Sequence, residues 1–382
     1  GTPRMNQPVE VCVSSCETYE YETVRAALAE QFRLLKAEEV IRPGMRVAIK
    51  PNLVVRSAPE EGAVTHPVVI CAVVSLLREL GASVVIAESP GGPYTPVLLK
   101  SIYERSGCAA AAEYGAELNV DCTWGELKAP EARLCRSFPV ITPLLQADAI
   151  VDVCKLKTHC MMGLSAAVKN LFGAVPGLMK PELHCRFPEK KAFGTMITDL
   201  CQALHPVLSV VDGITAMEGN GPTGGKPRHV GALLSSRSPY AVDLACTEII
   251  GMDPASVFPL LSAMERDLCP RSHSDLVWLQ EPASRFAVPD YLQPESKPAD
   301  FIARLPHFLQ PLASRLTTPV PKIRTAECVG CGKCAESCPQ HTISIRNRKA
   351  VIDYSKCIRC YCCHEMCPQH VIDIRRFSLF RH

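Results

Sequence analysis

The sequence predicts an α/β protein: a layered, mostly parallel sheet domain followed by a small α+β domain. Three observations carry this reading. Short apolar runs alternate with amphipathic stretches through the first 250 residues, which is how strands and helices of a layered sheet read. Prolines then interrupt every run between 269 and 320. Finally, "CVGCGKCAESCPQHTISI", beginning at Cys328, returns twenty-nine positions later as "CIRCYCCHEMCPQHVIDI", beginning at Cys357.

The elements follow in order. Strands are expected over 9–13, 46–50, 83–87, 149–153, 207–211 and 230–234, each a β-branched apolar run of strand length. Helices are expected over 21–37, 67–80, 95–105 and 240–250. Pro67 stands at a first helical position, where a missing N–H leaves nothing unpaired. Gly81 and Gly251 follow two of the helices where a C-terminal glycine is favoured. The expected domains are therefore 1–268, the sheet domain; 269–320, a proline-rich connector; and 321–382, the small domain. Prolines at 270, 282, 289, 294, 298, 306, 311 and 319 deny the connector a regular helix or central strand. Trp278, Phe286, Tyr291, Leu292, Phe301 and Phe308 give it enough apolar surface to lie against the sheet domain.

Composition narrows the function classes. The chain has 382 residues, 47% hydrophobic and 21% charged, as a globular protein with a sizeable core has. Its longest mainly apolar run, 68–77, is well short of the roughly 18 residues that span a bilayer. The opening "GTPRMNQPVE" lacks the basic and apolar regions of a secretory signal, so a cytoplasmic protein with no membrane partner is expected. The net charge of +2 conceals a basic end: eleven Lys and Arg against five Asp and Glu from Pro321 onward. That excess is spread among cysteines, without the aromatic or helix-turn-helix pattern of a nucleic-acid binder, and instead balances thiolate charge.

Twenty-one cysteines in a large chain without an export signal point to metal ligation and free thiols rather than disulfides. Nine lie between Cys328 and Cys367; the others, such as Cys71, Cys154 and Cys201, sit in apolar runs where a thiol packs as a small hydrophobe. Each repeat reads C-x-x-C-x-x-C-x-x-x-C-P, the run of bacterial two-cluster ferredoxins, in which the fourth cysteine serves the other cluster. By that rule Cys328, Cys331, Cys334 and Cys367 hold one [4Fe-4S] cluster, and Cys357, Cys360, Cys363 and Cys338 the second. Cys362 falls outside the spacing. Tetrahedral zinc is the alternative, but two full copies, each with its proline, favour iron and sulfide. Two neighbouring clusters form a short electron wire, which needs a redox partner protein or small donor at one end and an acceptor at the other.

The densest candidate for that acceptor is "CKLKTHCMMGLSAAVKNLFGAVPGLMKPELHCR", residues 154–186. It leaves the carboxyl end of a strand, where open α/β sheets place ligands. After Gly163 a brief helix is expected, with Leu164, Val168, Leu171 and Phe172 on one face and Ser165 and Lys169 on its neighbour. Gly173, Pro176 and Gly177 then form a turn that returns Lys180 and His184 to the same place. Lys155, Lys157, His159, Lys169, Lys180 and His184 are therefore expected to converge on an anionic small molecule. His159, Lys169 and Lys157 are the candidate catalytic residues: His159 or His184 to ligate metal or shuttle protons, Lys169 as a covalent amine or proton donor. "IKPNLV", with Lys50 and Asn52, "THPVV", with His66, "ESPGG" and "VVDGITAMEGNGP", with Asp212, Glu218 and Asn220, end other strands and are expected to line the same cleft. "GNGPTG" matches G-x-G-x-x-G but opens no helix, so nicotinamide binding is not predicted.

Together "VAIKPNLV", "THPVV", "GASVVIAESPGG", "KLKTH", "VKNLFGAVPG" and "VVDGITAMEGNGP" resemble the family called domain of unknown function 362, here joined to a ferredoxin module. The resemblance implies the architecture and names no activity. A fainter similarity is to lactate racemase-type enzymes that use a nickel-pincer nucleotide. They carry a His, a glycine, a Lys ten positions after that His, and a later metal-binding His; "HCMMGLSAAVK" places Lys169 ten after His159, and His184 follows. That likeness would put cofactor attachment at Lys169 and metal at His184. The function expected is an iron-sulfur oxidoreductase passing electrons to an anionic substrate, or to an unidentified second cofactor or metal, in the large domain. The alternatives are an electron-transfer or accessory protein that docks a redox partner, and a nickel-pincer-like metalloenzyme.

Overall fold

The computed structural model describes residues 9–296 and 318–375. Its strands are β1 (Val9–Ser15), β2 (Arg46–Pro51), β3 (Ser83–Ile86), β4 (Ala116–Leu118), β5 (Trp124–Lys128), β6 (Ser137–Ile141), β7 (Ala149–His159), β8 (Gly163–Ser165), β9 (Leu208–Glu218), β10 (Lys226–Ser236), β11 (Leu276–Trp278), β12 (Val320–Ile323), β13 (Ile343–Arg346), β14 (Lys349–Ile352) and β15 (Ile372–Arg375). A nine-stranded sheet runs β11-β1-β10-β9-β7-β2-β3-β4, with β8 folded back on β7. From β9 to β4 every pairing is parallel; β10 runs antiparallel to both of its neighbours. The sheet is thus mixed and mostly parallel.

Both faces are covered, as parallel strands require. Along β7, Ile150, Cys154 and Leu156 enter one apolar core while Val151 and Val153 enter the other. Helices α1 (Tyr21–Leu34), α2 (Pro67–Glu79) and α3 (Pro96–Arg105) bring residues such as Leu28, Val73 and Ile102 to the second core. The short α4 (Thr142–Leu145), α5 (Ala167–Asn170), then α6 (Met179–Arg186), α7 (Lys190–Leu204), α8 (Pro239–Ile249) and α9 (Phe258–Glu265) serve the first. Thr95 caps α3 through the Leu98 N–H and Ser238 caps α8 through the Ala241 N–H, so helix starts follow the local sequence.

Two differences from the sequence expectation have physical causes. Gly163 does not open a helix: with φ of +85° it closes a tight hairpin, and 163–165 pair with Lys157 to His159, leaving only Ala167–Asn170 helical. The connector also contributes a strand. Between Pro270 and Pro282, β11 pairs in parallel with β1 at the sheet edge, where three residues suffice because only one side is bonded. Beyond it Tyr291 packs into the core and donates to the Met217 carbonyl at 2.7 Å. Phe301 and Phe308, expected to do likewise, lie outside the described residues.

The C-terminal part holds two small antiparallel sheets, β12 with β15 and the hairpin β13 with β14, and two short helices, α10 (Lys333–Glu336) and α11 (Cys362–Met366). It rests on the carboxyl ends of the parallel strands. Thr223 donates to the Glu365 carbonyl at 2.8 Å, His364 Nε2 lies 2.9 Å from the Asn220 carbonyl, and the Cys185 thiol donates to the Pro339 carbonyl at 3.0 Å. Gly91 and Gly224 permit this approach: a Cβ there would stand 2.4 Å from Met366 Sδ and 2.7 Å from the His364 ring. Among the described residues no helix is long and apolar enough to cross a membrane.

Candidate functional site

Where the two parts meet, a cavity of about 90 Å³ is enclosed by both. Lys50, Glu88, His159, Lys169, Lys180 and His184 come from the large part; Cys362, Glu365 and Met366 come from α11. The strand ends of β2, β3 and β7 lie at one edge of the sheet, which explains why residues so far apart in sequence gather here.

His159 is held in one state. Its Nδ1 accepts from the Met161 and Met162 N–H groups at 3.1 and 3.2 Å, so the neutral ring carries its proton on Nε2. That Nε2 is buried and has no partner among the described residues. Burial drives the imidazole well below its ordinary pKa, with Lys169 and Lys157 adding to the shift. The cavity therefore meets a hydrogen-bond donor rather than a base.

Lys169 is positioned from behind. The four-residue helix α5 begins with the Ala167 and Val168 N–H groups donating to the Asp243 carboxylate at 2.7 and 3.0 Å. Its ammonium lies 4.8 Å from the centre of the Phe172 ring, and no carboxylate is within ion-pair distance among the described residues. Burial lowers its pKa, while Glu365 and Cys362 oppose that shift.

Lys50 and Glu88 form a buried ion pair at 2.8 Å. The other Glu88 oxygen accepts the Leu53 N–H at 2.7 Å; Lys50 also donates to the Pro51 carbonyl at 2.6 Å. Gly173 leaves room for the pair, since a Cβ there would lie 2.4 Å from Glu88 Oε1 and 2.6 Å from Lys50 Nζ. Lys180, on α6, donates to the Ser89 and Pro90 carbonyls at 2.8 and 3.1 Å, and burial pulls it down to about 7. One turn further, His184 is clasped by Phe193, stacked at 4.3 Å, and by the edge of Phe172 at 5.8 Å. Burial pulls it to about 3, so it is neutral, and its Nδ1 has no partner among the described residues.

Residues 47–248, more than half of the chain, match the model of the family described as "Domain of unknown function (DUF362)". The chain belongs to that family. Residues 320–368 match the model described as "4Fe-4S dicluster domain". A thylakoid-associated protein of Synechocystis sp. is 33% identical over 227 residues, covering 59% of this chain and 69% of that protein. The structure of a lactate racemase apoprotein from Thermoanaerobacterium thermosaccharolyticum aligns with a TM-score of 0.41 and 11% identity, over 66% of this chain and 60% of that one. A likeness that slight bears on nothing in the chemistry here.

The DUF362 part does not bring every expected residue to the cavity. Lys155 lies one strand away, paired at 3.0 Å with Asp212 of β9, its partner in the sheet register, and beside the Tyr19 hydroxyl. Lys157 runs under the cavity floor and donates to Asn52 Oδ1 at 3.0 Å and the Ala63 carbonyl at 2.7 Å; burial pulls it to about 7. Asn52 does line the cavity and links Lys157 to it. His66 caps α2 and stacks on Tyr19, away from the cavity. Glu218 accepts the Leu292 N–H at 3.1 Å and faces Arg228, while Asn220 serves the docking of His364 described above. The "VVDGITAMEGNGP" stretch thus holds the connector and the C-terminal part. Glu88, in the expected "ESPGG" stretch, does line the cavity; Asn170, which shares the buried polar floor, and Glu365, from the other part, were not among the residues singled out as the site.

In the dicluster part the cysteines separate into two sets. Cys328, Cys331, Cys334 and Cys367 surround one cavity; Cys338, Cys357, Cys360 and Cys363 surround another. Each set takes three cysteines from one repeat and the fourth from the other, and four converging thiols fit a [4Fe-4S] cube. Cys331 is exposed, whereas Cys363 is buried and the other set's neighbour Cys362 faces the DUF362 cavity.

Proposed function

We propose that the protein is an iron-sulfur oxidoreductase that reduces a small anionic substrate held between its two parts. Two [4Fe-4S] clusters, one in each cysteine set, supply single electrons when bound. The observation that carries this reading is the shared wall: α11, which bears Cys363 and follows Cys360, also lines the cavity with Cys362, Glu365 and Met366. A bound molecule there sits against the very segment that carries the cluster ligands.

The chain's own residues support an anionic molecule. Lys169, Lys180 and Lys50 face it, and among the described residues only Lys50 of the three has its charge matched by a direct carboxylate partner, Glu88. A desolvated, cationic hollow of this kind selects a carboxylate or phosphate and stabilises negative charge that develops on reduction. His159 offers Nε2–H to the same space as a hydrogen-bond donor to developing negative charge, and the Lys169 ammonium is the proton donor in this reading. Lys157 acts through Asn52 rather than on the substrate. Cys331, exposed beside Val329 at 54% exposure, marks the side at which a redox partner delivers electrons.

The test is anaerobic. Protein loaded with iron and sulfide is reduced, freed of excess reductant, and mixed with small carboxylates and phosphate esters while visible absorption is followed. Reoxidation by a member of this panel, lost in Lys169→Met, supports the reading. Iron-replete protein that is reoxidised only by partner proteins would replace it with the electron-carrier role.

A further inference from the structure

Cys362 and His184 are left without work by the reading above, on which this inference rests for Cys360 as a cluster ligand. We propose that His184, Cys362 and the Cys360 thiolate together hold one thiophilic divalent metal ion, set between the second cysteine set and the cavity. One ligand atom from each of the three lies within 4.8 Å of the others. Ligands of a tetrahedral zinc ion stand about 3.5–3.8 Å apart, given bonds of about 2.3 Å to sulfur and 2.0–2.1 Å to nitrogen. Small rotations of the cysteine side chains close that gap.

Independent observations point the same way. His184 is 7% exposed, its Nδ1 lacks any partner among the described residues, and it lines the cavity beside Cys362. Phe172 and Phe193 fix its ring, so its orientation is set before any ligand arrives. Cys362 is surplus to the C-x-x-C-x-x-C-x-x-x-C run, yet it is buried with its sulfur within 4.8 Å of that of Cys360. A metal ion would displace the Cys362 thiol proton to solvent, while the Cys360 thiolate sulfur has lone pairs enough to bridge. Two sulfurs and an imidazole select a thiophilic ion over magnesium or calcium. Three protein ligands leave a fourth position open toward Lys169 and the His159 donor, as sites that bind a reactant do. The ion would then grip the substrate's anionic oxygen at the end of the electron path.

The full chain, loaded anaerobically with iron and sulfide and stripped of loose metal, is titrated with Zn²⁺ and analysed for zinc and iron together. One zinc per chain is expected, with iron unchanged and a mixed sulfur and nitrogen shell by X-ray absorption at the zinc edge. His184→Gln, outside the cysteine run, and Cys362→Ser should each weaken zinc by more than about 10-fold, a loss typical even of outer partners of a metal site. Full iron with no retained zinc, or equal zinc in His184→Gln, overturns the metal site and leaves the electron path standing. Zinc that displaces iron and carries an all-sulfur shell overturns the cluster reading and this proposal with it.

Discussion

Glu88→Gln examines whether the cavity floor is as dry as its geometry says. Lys50 and Glu88 pair at 2.8 Å with 1% and 3% side-chain exposure. Breaking a buried pair by removing one partner typically costs about 3–5 kcal/mol, because the remaining charge is stranded. Glutamine cannot repair the site. If its oxygen faces Lys50, its NH₂ confronts the Leu53 N–H; if its oxygen accepts from Leu53, the NH₂ confronts the ammonium. Lys50 keeps the Pro51 carbonyl at 2.6 Å, a bond worth about 1 kcal/mol, so the expected loss is about 2–4 kcal/mol. Urea unfolding followed by the fluorescence of Trp124 and Trp278, both in the DUF362 part and its connector, reads this directly. With a slope of about 3 kcal/mol per molar or less, the midpoint falls by roughly 1 M. Adding Lys50→Met removes the stranded charge and should restore most of the loss. A loss below about 1 kcal/mol in Glu88→Gln would mean that water reaches the pair, and the argument from desolvation would fail.

Three further outcomes are expected. Lys157 titrates near 7 when folded and near 10.4 when unfolded, so between these values the unfolded chain holds the extra proton and stability rises with pH, by at most about 1.4 kcal/mol per unit. Lys157→Met should flatten that rise; unchanged slopes from pH 7 to 10 would show that Asn52 and the Ala63 carbonyl keep the ammonium charged. Iron content tests the crossed ligand sets: Cys367→Ala should lower it from about eight to about four per chain, Cys331→Ala added to it should lower it no further, and Cys357→Ala added to it should remove the rest. The reverse pattern would assign each cluster to its own repeat. Lys169→Met should weaken calorimetric binding of pyruvate or phosphate by about 10–100-fold, the value of one charge-assisted hydrogen bond of about 1.5–3 kcal/mol, with the folding midpoint little changed; equal affinity would remove Lys169 from the cavity's function.

Much of this was legible in the sequence, for reasons that can be named. The strands on either side of the cavity are short β-branched runs, and the glycine-bounded loop from 159 to 184 could be seen to return on itself, so His159, Lys169, Lys180 and His184 were expected together and line one cavity. The expectation that Lys155 and Lys157 join the cavity was not met. Lys155, Lys157 and His159 share strand parity, but strand register pairs Lys155 with Asp212, and only the last of the three lines the cavity. A lysine's partner across a sheet is invisible until the register is known. Cys362 and Glu365 could not be placed for a different reason: Cys362 was visible as a cysteine outside the spacing, but its place, like that of Glu365, depends on how one folded part rests on another. The three-residue β11 was hidden among prolines because its pairing with β1 is a tertiary choice rather than a local propensity.

The docking of the dicluster part changes the chemistry of the DUF362 part, beyond covering it. Glu365 is the only carboxylate that α11 carries into the cavity, and it acts on Lys157, Lys169 and Lys180 alike, in each case supporting the charged form against burial. Without that face the lysines would be exposed to water, and their field would be screened. With it burial presses each toward its neutral form, opposed by Glu365 for all three and by Glu88 for Lys157 and Lys180. His159, meanwhile, is barred from the charged form by burial and by those same lysines, while the Met161 and Met162 amides dictate which nitrogen keeps the proton. An anion bound in this hollow would offset the excess positive charge and accept the hydrogen bond that Nε2–H offers, while the two amides on Nδ1 keep the ring neutral. The same groups that would recognise the substrate thus set the protonation state of the residue that would serve it, and both depend on the presence of the electron-carrying wall.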